Sequence, residues 1–307
     1  MTAGSTIASL HTQPGGHAAS PEQAAPEQPV TIPCPDGREL AGRLFTPPHG
    51  PPAMALVLHG ATGVPRDYYA RFAAWLAGRR QAAILIYDYR DCGHSARGPV
   101  RLAQASMADW AVIDQGAALD FLFDRHPGLP VEVMGHSLGG MGLPFHAKAD
   151  RVRRLTSVAT GPAHWRRHPS HFIGKAMAFW FVLGPLATAL LGYMPGRILG
   201  QGADLPANAF WQWRRWCTSR GFYRRDWGRH LPQPDLGRMT GTVRLIAIED
   251  DPMIPPAVVR DHAAFFPAAT VEHAVIPVAA AGVSAIGHLR IFSERCSSAW
   301  PLLAGSD

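Results

Sequence analysis

The stretch Val131-Glu132-Val133-Met134-Gly135-His136-Ser137-Leu138-Gly139-Gly140 constrains this chain more than any other. A short apolar run of strand character leads straight into Gly-x-Ser-x-Gly, and helical spacing follows. A serine on so sharp a strand-to-helix turn has its hydroxyl pushed out past the edge of the sheet. The turn crowds its neighbours, so positions 135 and 139, on either side of His136 and Leu138, need glycine. The helix that follows presents N–H groups and a positive dipole end to developing negative charge, with Leu138 N–H as the first oxyanion donor. A second Gly-His-Ser, at 93–95, lacks the later glycine and follows Asp88-Tyr89-Arg90-Asp91-Cys92, so Ser95 reads as a loop residue.

The rest of the chain supplies a frame for that turn. Apolar runs at 54–58, 83–87, 131–134, 155–159, 243–248 and 271–276 alternate with helical spacing at 67–78 and 107–125. Asp36-Gly37, between runs at 30–33 and 40–45, is a hairpin signal. Such alternation predicts an α/β fold with a mostly parallel central sheet flanked by helices. With 47% hydrophobic and 17% charged residues, the core can be large. Residues 1–29, rich in Ala, Gly, Pro, Ser and Gln, read as a disordered tail. The core then runs over 30–161 and 236–307. Between them the alternation breaks, and 162–235 reads as a helical cap inserted over the carboxyl edge of the sheet, where ligands bind in open α/β folds.

Serine needs a neighbouring base. The fold places nucleophile, acid and base in that chain order, and past residue 276 His288 is the only histidine. Gly287 before it suits a loop that swings the imidazole inward. The acid should follow the run at 243–248, where Glu249, Asp250 and Asp251 stand together; spacing alone does not choose among them. The second oxyanion donor is expected from the loop after 54–58, at Ala61 N–H, with Thr62 as a helix N-cap.

The cap holds the remaining signals. Residues 176–191 are apolar throughout, near membrane-span length, but Gly184-Pro185 reads as a turn between two helices, buried or touching a membrane. The cap aromatics Trp165, Phe172, Trp180, Phe181, Trp211, Trp213, Trp216 and Trp227 would supply an acyl pocket or the insert's own packing. The net charge is +6, almost all of it from Arg and much of it within 151–230. We read the excess as a compositional bias toward Arg, with a substrate carboxylate or anionic headgroup as the alternative for Arg214, Arg215, Arg220, Arg224 and Arg225. No nucleic-acid fold accompanies it. His164, His168 and His171 are spaced like ligands, but Pro169 interrupts them, and no metal is expected. Cys34, Cys92, Cys217 and Cys296 form no disulfide or zinc pattern, and no signal-peptide shape leads the chain, so a cytoplasmic setting is expected.

His59-Gly60, Asp88-Tyr89-Arg90 with Gly93-x-Ser95, the 135–140 turn, Asp250-Asp251-x-x-Ile254-Pro255 and Gly287-His288 together resemble the α/β-hydrolase superfamily over nearly everything after residue 30. That resemblance implies Asp251 as the acid, two residues before the apolar-Pro pair. Gly60-Ala61-Thr62-Gly63-Val64-Pro65, Leu191-Gly192-Tyr193-Met194-Pro195-Gly196 and Ile286-Gly287-His288 further resemble a proteobacterial group of predicted α/β-hydrolases near the serine-aminopeptidase and monoacylglycerol-lipase-like branch. The expected activity is hydrolysis of an ester or thioester of a small or medium apolar acyl group through an acyl-serine, without cofactor. Ser137, Asp251 and His288 would carry it. Acyl transfer, amide cleavage, or a non-catalytic membrane-associated binding role for the cap are the competing readings.

Overall fold

The structure is a computed structural model that describes residues 25–305. Of the expected tail, 1–24 lie outside the described residues. Its last three positions are not tail at all: β1 (Glu27–Pro33) begins at Glu27 and runs antiparallel to β2 (Glu39–Phe45) across the Asp36-Gly37 turn, with Gly37 at φ +78°. Edge strand β1 exposes most of its side chains, so no apolar alternation marks its start.

Then follow β3 (Met54–His59), α1 (Ala70–Arg79), β4 (Ala82–Tyr87), α2 (Gln115–Arg125), β5 (Val131–His136) and β6 (Val152–Val158). After the segment 162–235, which holds the two-residue strands β7 (Tyr193–Met194) and β8 (Leu205–Pro206), come β9 (Thr242–Ile248) and β10 (Thr270–Ile276). Eight strands form one sheet in the order β1-β2-β4-β3-β5-β6-β9-β10, parallel from β4 onward.

Every residue of β3, β4 and β5 is buried, because helices cover both faces. The two-residue period then divides the core. Ala55 and Val57 pack with Val131, Val133, Leu119 and Leu122 on one face. Met54, Leu56 and Leu58 pack with Phe72, Leu76 and Trp300 on the other. Parallel strands end at one common edge. The loops after β3, β5, β9 and β10 therefore bring positions 61, 137, 251 and 288 together from distant parts of the chain.

The expected turn at Gly184-Pro185 does not exist. One helix runs from Ser170 to Leu191 straight through it. Pro185 has no N–H and its ring would strike the carbonyl one turn back, at Phe181, in a regular helix. A widened turn at Phe179–Leu183 absorbs that misfit. Gly184 is required for packing instead: a Cβ there would lie 2.6 Å from the Phe210 ring. Nor is the helix buried as a whole; it lies on the surface with one side packed inward.

Candidate active site

Ser137 follows β5 at φ +55°, a left-handed conformation that an L-residue adopts only under constraint. The glycines show what enforces it. A Cβ on Gly135 would sit 2.3 Å from Gly139, and one on Gly139 would sit 2.1 Å from the His59 carbonyl. The strained residue is anchored by Thr160 Oγ1, which donates to its carbonyl at 2.9 Å.

The Ser137 hydroxyl meets His288 Nε2 at 3.0 Å, and His288 Nδ1 meets Asp251 Oδ2 at 2.7 Å. The other Asp251 oxygen accepts from Met253 N–H at 2.8 Å and Ile254 N–H at 3.0 Å. Burial alone would raise the Asp251 carboxyl; the imidazole and the two amides outweigh it and hold the group below the ordinary carboxylate range. An ionised carboxylate only accepts, so Nδ1 carries the imidazole proton and Nε2 is left as an acceptor facing the serine.

The three adjacent acids have three different tasks. Asp250 accepts from Ile286 N–H and Gly287 N–H, both at 2.9 Å, and so clamps the loop that carries His288. Gly287 turns that loop at φ +63°. Glu249 accepts from Val278 N–H at 2.8 Å. The roles separate only once the ends of β9 and β10 lie side by side.

The Ala61 amide is not free. It donates to Tyr69 Oη at 2.8 Å, and Tyr69 is fully buried. That hydroxyl also meets His136 Nδ1 at 2.9 Å, and His136 Nε2 meets the His288 carbonyl at 2.9 Å. A carbonyl only accepts, so Nε2 is the protonated nitrogen and the Tyr69 hydroxyl donates to Nδ1. Burial, helped by the neighbouring His288 imidazole, pushes His136 down to about 3, which keeps it neutral. One directed chain thus runs from the loop after β3, through the middle of the turn, to the backbone of His288. Sequence reasoning missed Tyr69, because the Gly60-Ala61 signal says nothing about a hydroxyl eight residues on. Thr62 is not the expected helix cap: the next helical turn starts after Pro65 without a side-chain cap. Instead Thr62 faces the cavity above Ser137, as does Leu138.

Gln115 and Tyr89 are two further supports that the sequence did not announce. Gln115 Nε2 donates to Tyr89 Oη at 3.1 Å and to the Leu138 carbonyl at 3.2 Å, and Tyr89 Oη donates to the Gly60 carbonyl at 2.9 Å. Ser95 is structural, as its context indicated: its hydroxyl joins Ala41 N–H to the Asp88 carbonyl, each at 2.8 Å.

Above Ser137 and His288 lies a cavity of about 350 Å³. Of the eight cap aromatics singled out in the sequence, Phe172, Trp180, Trp213 and Trp216 line it, joined by Phe179 and Phe222. Trp165, Phe181, Trp211 and Trp227 do not reach it. Nor do the five arginines: Arg215 pairs with Asp226 at 2.7 Å and Arg214 donates to the Trp180 carbonyl at 2.6 Å. Among the described residues the cationic side chain on the lining is Lys175, with Thr62, Thr160, Gln201 and His168 as other polar groups besides Ser137 and His288. Among the described residues no three His, Cys, Asp or Glu converge as a metal site. The cavity is lined mostly by carbon, and its floor holds a hydroxyl next to an acceptor nitrogen. A hydroxyl beside an acceptor nitrogen under an apolar wall can, chemically, act as a nucleophile on a bound carbonyl group.

Comparison with known proteins agrees with this architecture. The alpha/beta hydrolase family matches over residues 55–294. Human monoglyceride lipase is 30% identical over 131 residues, which is 39% of this chain and 41% of the lipase, so the chain matches less than half of that relative's length. An esterase of Pyrococcus furiosus superposes with a TM-score of 0.58 at 12% identity, covering 91% of this chain and 88% of its own. A thermostable carboxylesterase cloned from a metagenomic library superposes with a TM-score of 0.56 at 15% identity, covering 94% and 90%. Taken with the eight-stranded sheet and the serine turn at its carboxyl edge, the family match over most of the sequence means that the chain belongs to the α/β-hydrolase family.

Proposed function

We propose that this protein hydrolyses carboxylic esters or thioesters of small to medium apolar acyl groups through an acyl-serine intermediate. The observation that carries this reading is the unbroken relay from Asp251 through His288 to the Ser137 hydroxyl, set in the floor of an apolar cavity. His288 Nε2 takes the hydroxyl proton as Ser137 Oγ attacks the carbonyl carbon, and Asp251 stabilises the imidazolium that forms. Leu138 N–H supports the oxyanion. A second donor comes from the loop after β3, where Thr62 rather than Ala61 faces the cavity. His288 then returns the proton to the departing alcohol or thiol. In the second half it deprotonates water, which releases the carboxylic acid and restores Ser137.

The cavity volume sits at the lower end of the range for small-molecule sites, which suits one acyl chain rather than a folded polypeptide. The partial likeness to a monoglyceride lipase supports the same class of substrate. A series of p-nitrophenyl esters of rising acyl length tests it. We expect kcat/KM to peak at medium length and Ser137→Ala to lower kcat by roughly 10⁵- to 10⁶-fold. An optimum at acetate would contradict the apolar acyl site, and turnover unchanged by Ser137→Ala would contradict the mechanism.

A further inference from the structure

A helix that is apolar on every side is normally covered on every side. The cap helix Ser170–Leu191 is apolar on every side and is covered on one. Ala176, Trp180, Gly184 and Thr188, spaced by four, are buried and form the stripe that packs inward, where Gly184 meets the Phe210 ring. The opposite face, with Met177, Phe181, Val182, Leu186, Leu190 and Leu191, is exposed; Leu190 is 75% and Leu186 57% accessible. Ile198, at 79%, and Leu102, at 66%, are exposed as well. Among the described residues, all the exposed large apolar side chains belong to the cap or to Leu102, apart from Val275 and Leu302. So concentrated a patch needs an occupant.

The charge identifies the occupant. Residues 162–235 contain ten Arg or Lys against three Asp, an excess of seven, larger than the excess of six for the whole chain. The helix itself has no carboxylate, and its one full charge is Lys175. Cations flank the apolar face. Arg197, 79% exposed along its side chain and 4.0 Å from the Asp204 carboxylate, precedes Ile198, and the Arg101 Cβ lies beside Gly192 at the end of the helix. The Arg214 guanidinium lies over the Phe181 and Trp211 rings. A second copy of this chain would bring the same positive excess to a self-complementary interface, where like charges repel. An apolar face on a segment with so large a cationic excess fits an anionic lipid surface.

We infer that this face of the cap docks on anionic lipid, with the Ser170–Leu191 helix lying in the interface plane. The packed stripe fixes that orientation, because a membrane crossing would tear Trp180 and Gly184 from the cap. Docking also aims the site. Phe172, Phe179 and Leu183 of this same helix line the cavity, and Leu183 is itself 50% exposed, so the apolar face borders the cavity wall. The inference goes beyond ester hydrolysis and does not depend on it.

Flotation of the full chain with vesicles of phosphatidylcholine containing phosphatidylglycerol, and of phosphatidylcholine alone, tests the docking. We expect the chain to float with the anionic vesicles, and binding to fall by at least about tenfold on neutral vesicles or in high salt. Leu186→Glu with Leu190→Glu, neither on the cavity lining, should weaken flotation by at least about tenfold while turnover of a soluble ester is unchanged. Preserved turnover of that soluble ester, and a far-UV circular dichroism spectrum and melting temperature matching the wild type, show the double variant to be folded. No flotation with anionic vesicles, or flotation equal in the double variant, overturns the proposal. So does a dimer, seen by analytical ultracentrifugation, that the same double variant dissociates while the wild type ignores vesicles. Flotation by a chain that turns over no ester supports docking and counts only against the hydrolase reading.

Discussion

Asp251→Asn changes one atom and, by the geometry around it, should reverse the imidazole. Asp251 Oδ1 accepts two backbone N–H groups, from Met253 and Ile254, while Oδ2 faces His288 Nδ1 at 2.7 Å. Two donors fix where an asparagine places its oxygen. Its NH₂ must then face Nδ1, and because NH₂ only donates, Nδ1 becomes the acceptor and the ring proton moves to Nε2, against the serine. To recover the productive tautomer the amide must flip, which leaves two amide donors opposed at a site only 2% accessible. Each such buried donor costs about 1–3 kcal/mol, so the flip costs roughly 2–6 kcal/mol and kcat falls by between about 30-fold and a few times 10⁴-fold. The isosteric change in trypsin-like proteases sits at the upper end, near 10⁴. Because Asp251 is not on the cavity lining, KM should hold. Steady-state kinetics on p-nitrophenyl butyrate, with far-UV circular dichroism to verify folding, reads both. A folded variant with kcat within about tenfold of wild type would refute the tautomer argument.

Two further outcomes follow from groups outside the relay. Tyr69→Phe strands the Ala61 amide and His136 Nδ1 in the core, so urea unfolding should show a loss of about 1–3 kcal/mol. Because His136 holds the His288 backbone, kcat should fall more than KM rises; an unchanged kcat would make the chain merely structural. The cap carboxylate Asp226 accepts from Gln212, Arg215 and Trp216, and although burial opposes it, Arg215 and the other donors hold it below its ordinary range, as the relay does Asp251. A carboxyl depressed in the folded state stabilises above its unfolded pKa of about 4 and ceases to do so as pH falls through the lower folded value. Melting temperature should therefore drop below about pH 4, and Asp226→Asn should cost about 2–3 kcal/mol at neutral pH and flatten that drop.

What was legible in the sequence was whatever a local geometry forces on neighbouring residues. Gly135 and Gly139 flag Ser137 because a Cβ at either would strike backbone. The strands β3, β4 and β5 are continuous apolar runs because both faces are covered. What could not be read depends on neighbours far along the chain. Asp250 clamps residues 286 and 287, and Tyr69 reaches both Ala61 and His136; no spacing rule encodes either contact. The Ala61 amide, expected to face the substrate, is taken by that hydroxyl. Gly-Pro read as a turn because the rule for proline in helices assumes a regular helix, and a widened turn escapes it. Strand β1 began early because an exposed edge needs no apolar pattern.

The account stands on Ser137 as the atom that accepts the acyl group. Incubation with a fluorophosphonate, followed by digestion and peptide mass spectrometry, looks for that bond directly. One adduct, on the peptide spanning 131–145 and localised to Ser137, is the predicted result, and it should disappear in His288→Ala. A folded chain that takes up no label, or takes it up on another residue, would mean that the hydroxyl beside the imidazole is not a nucleophile.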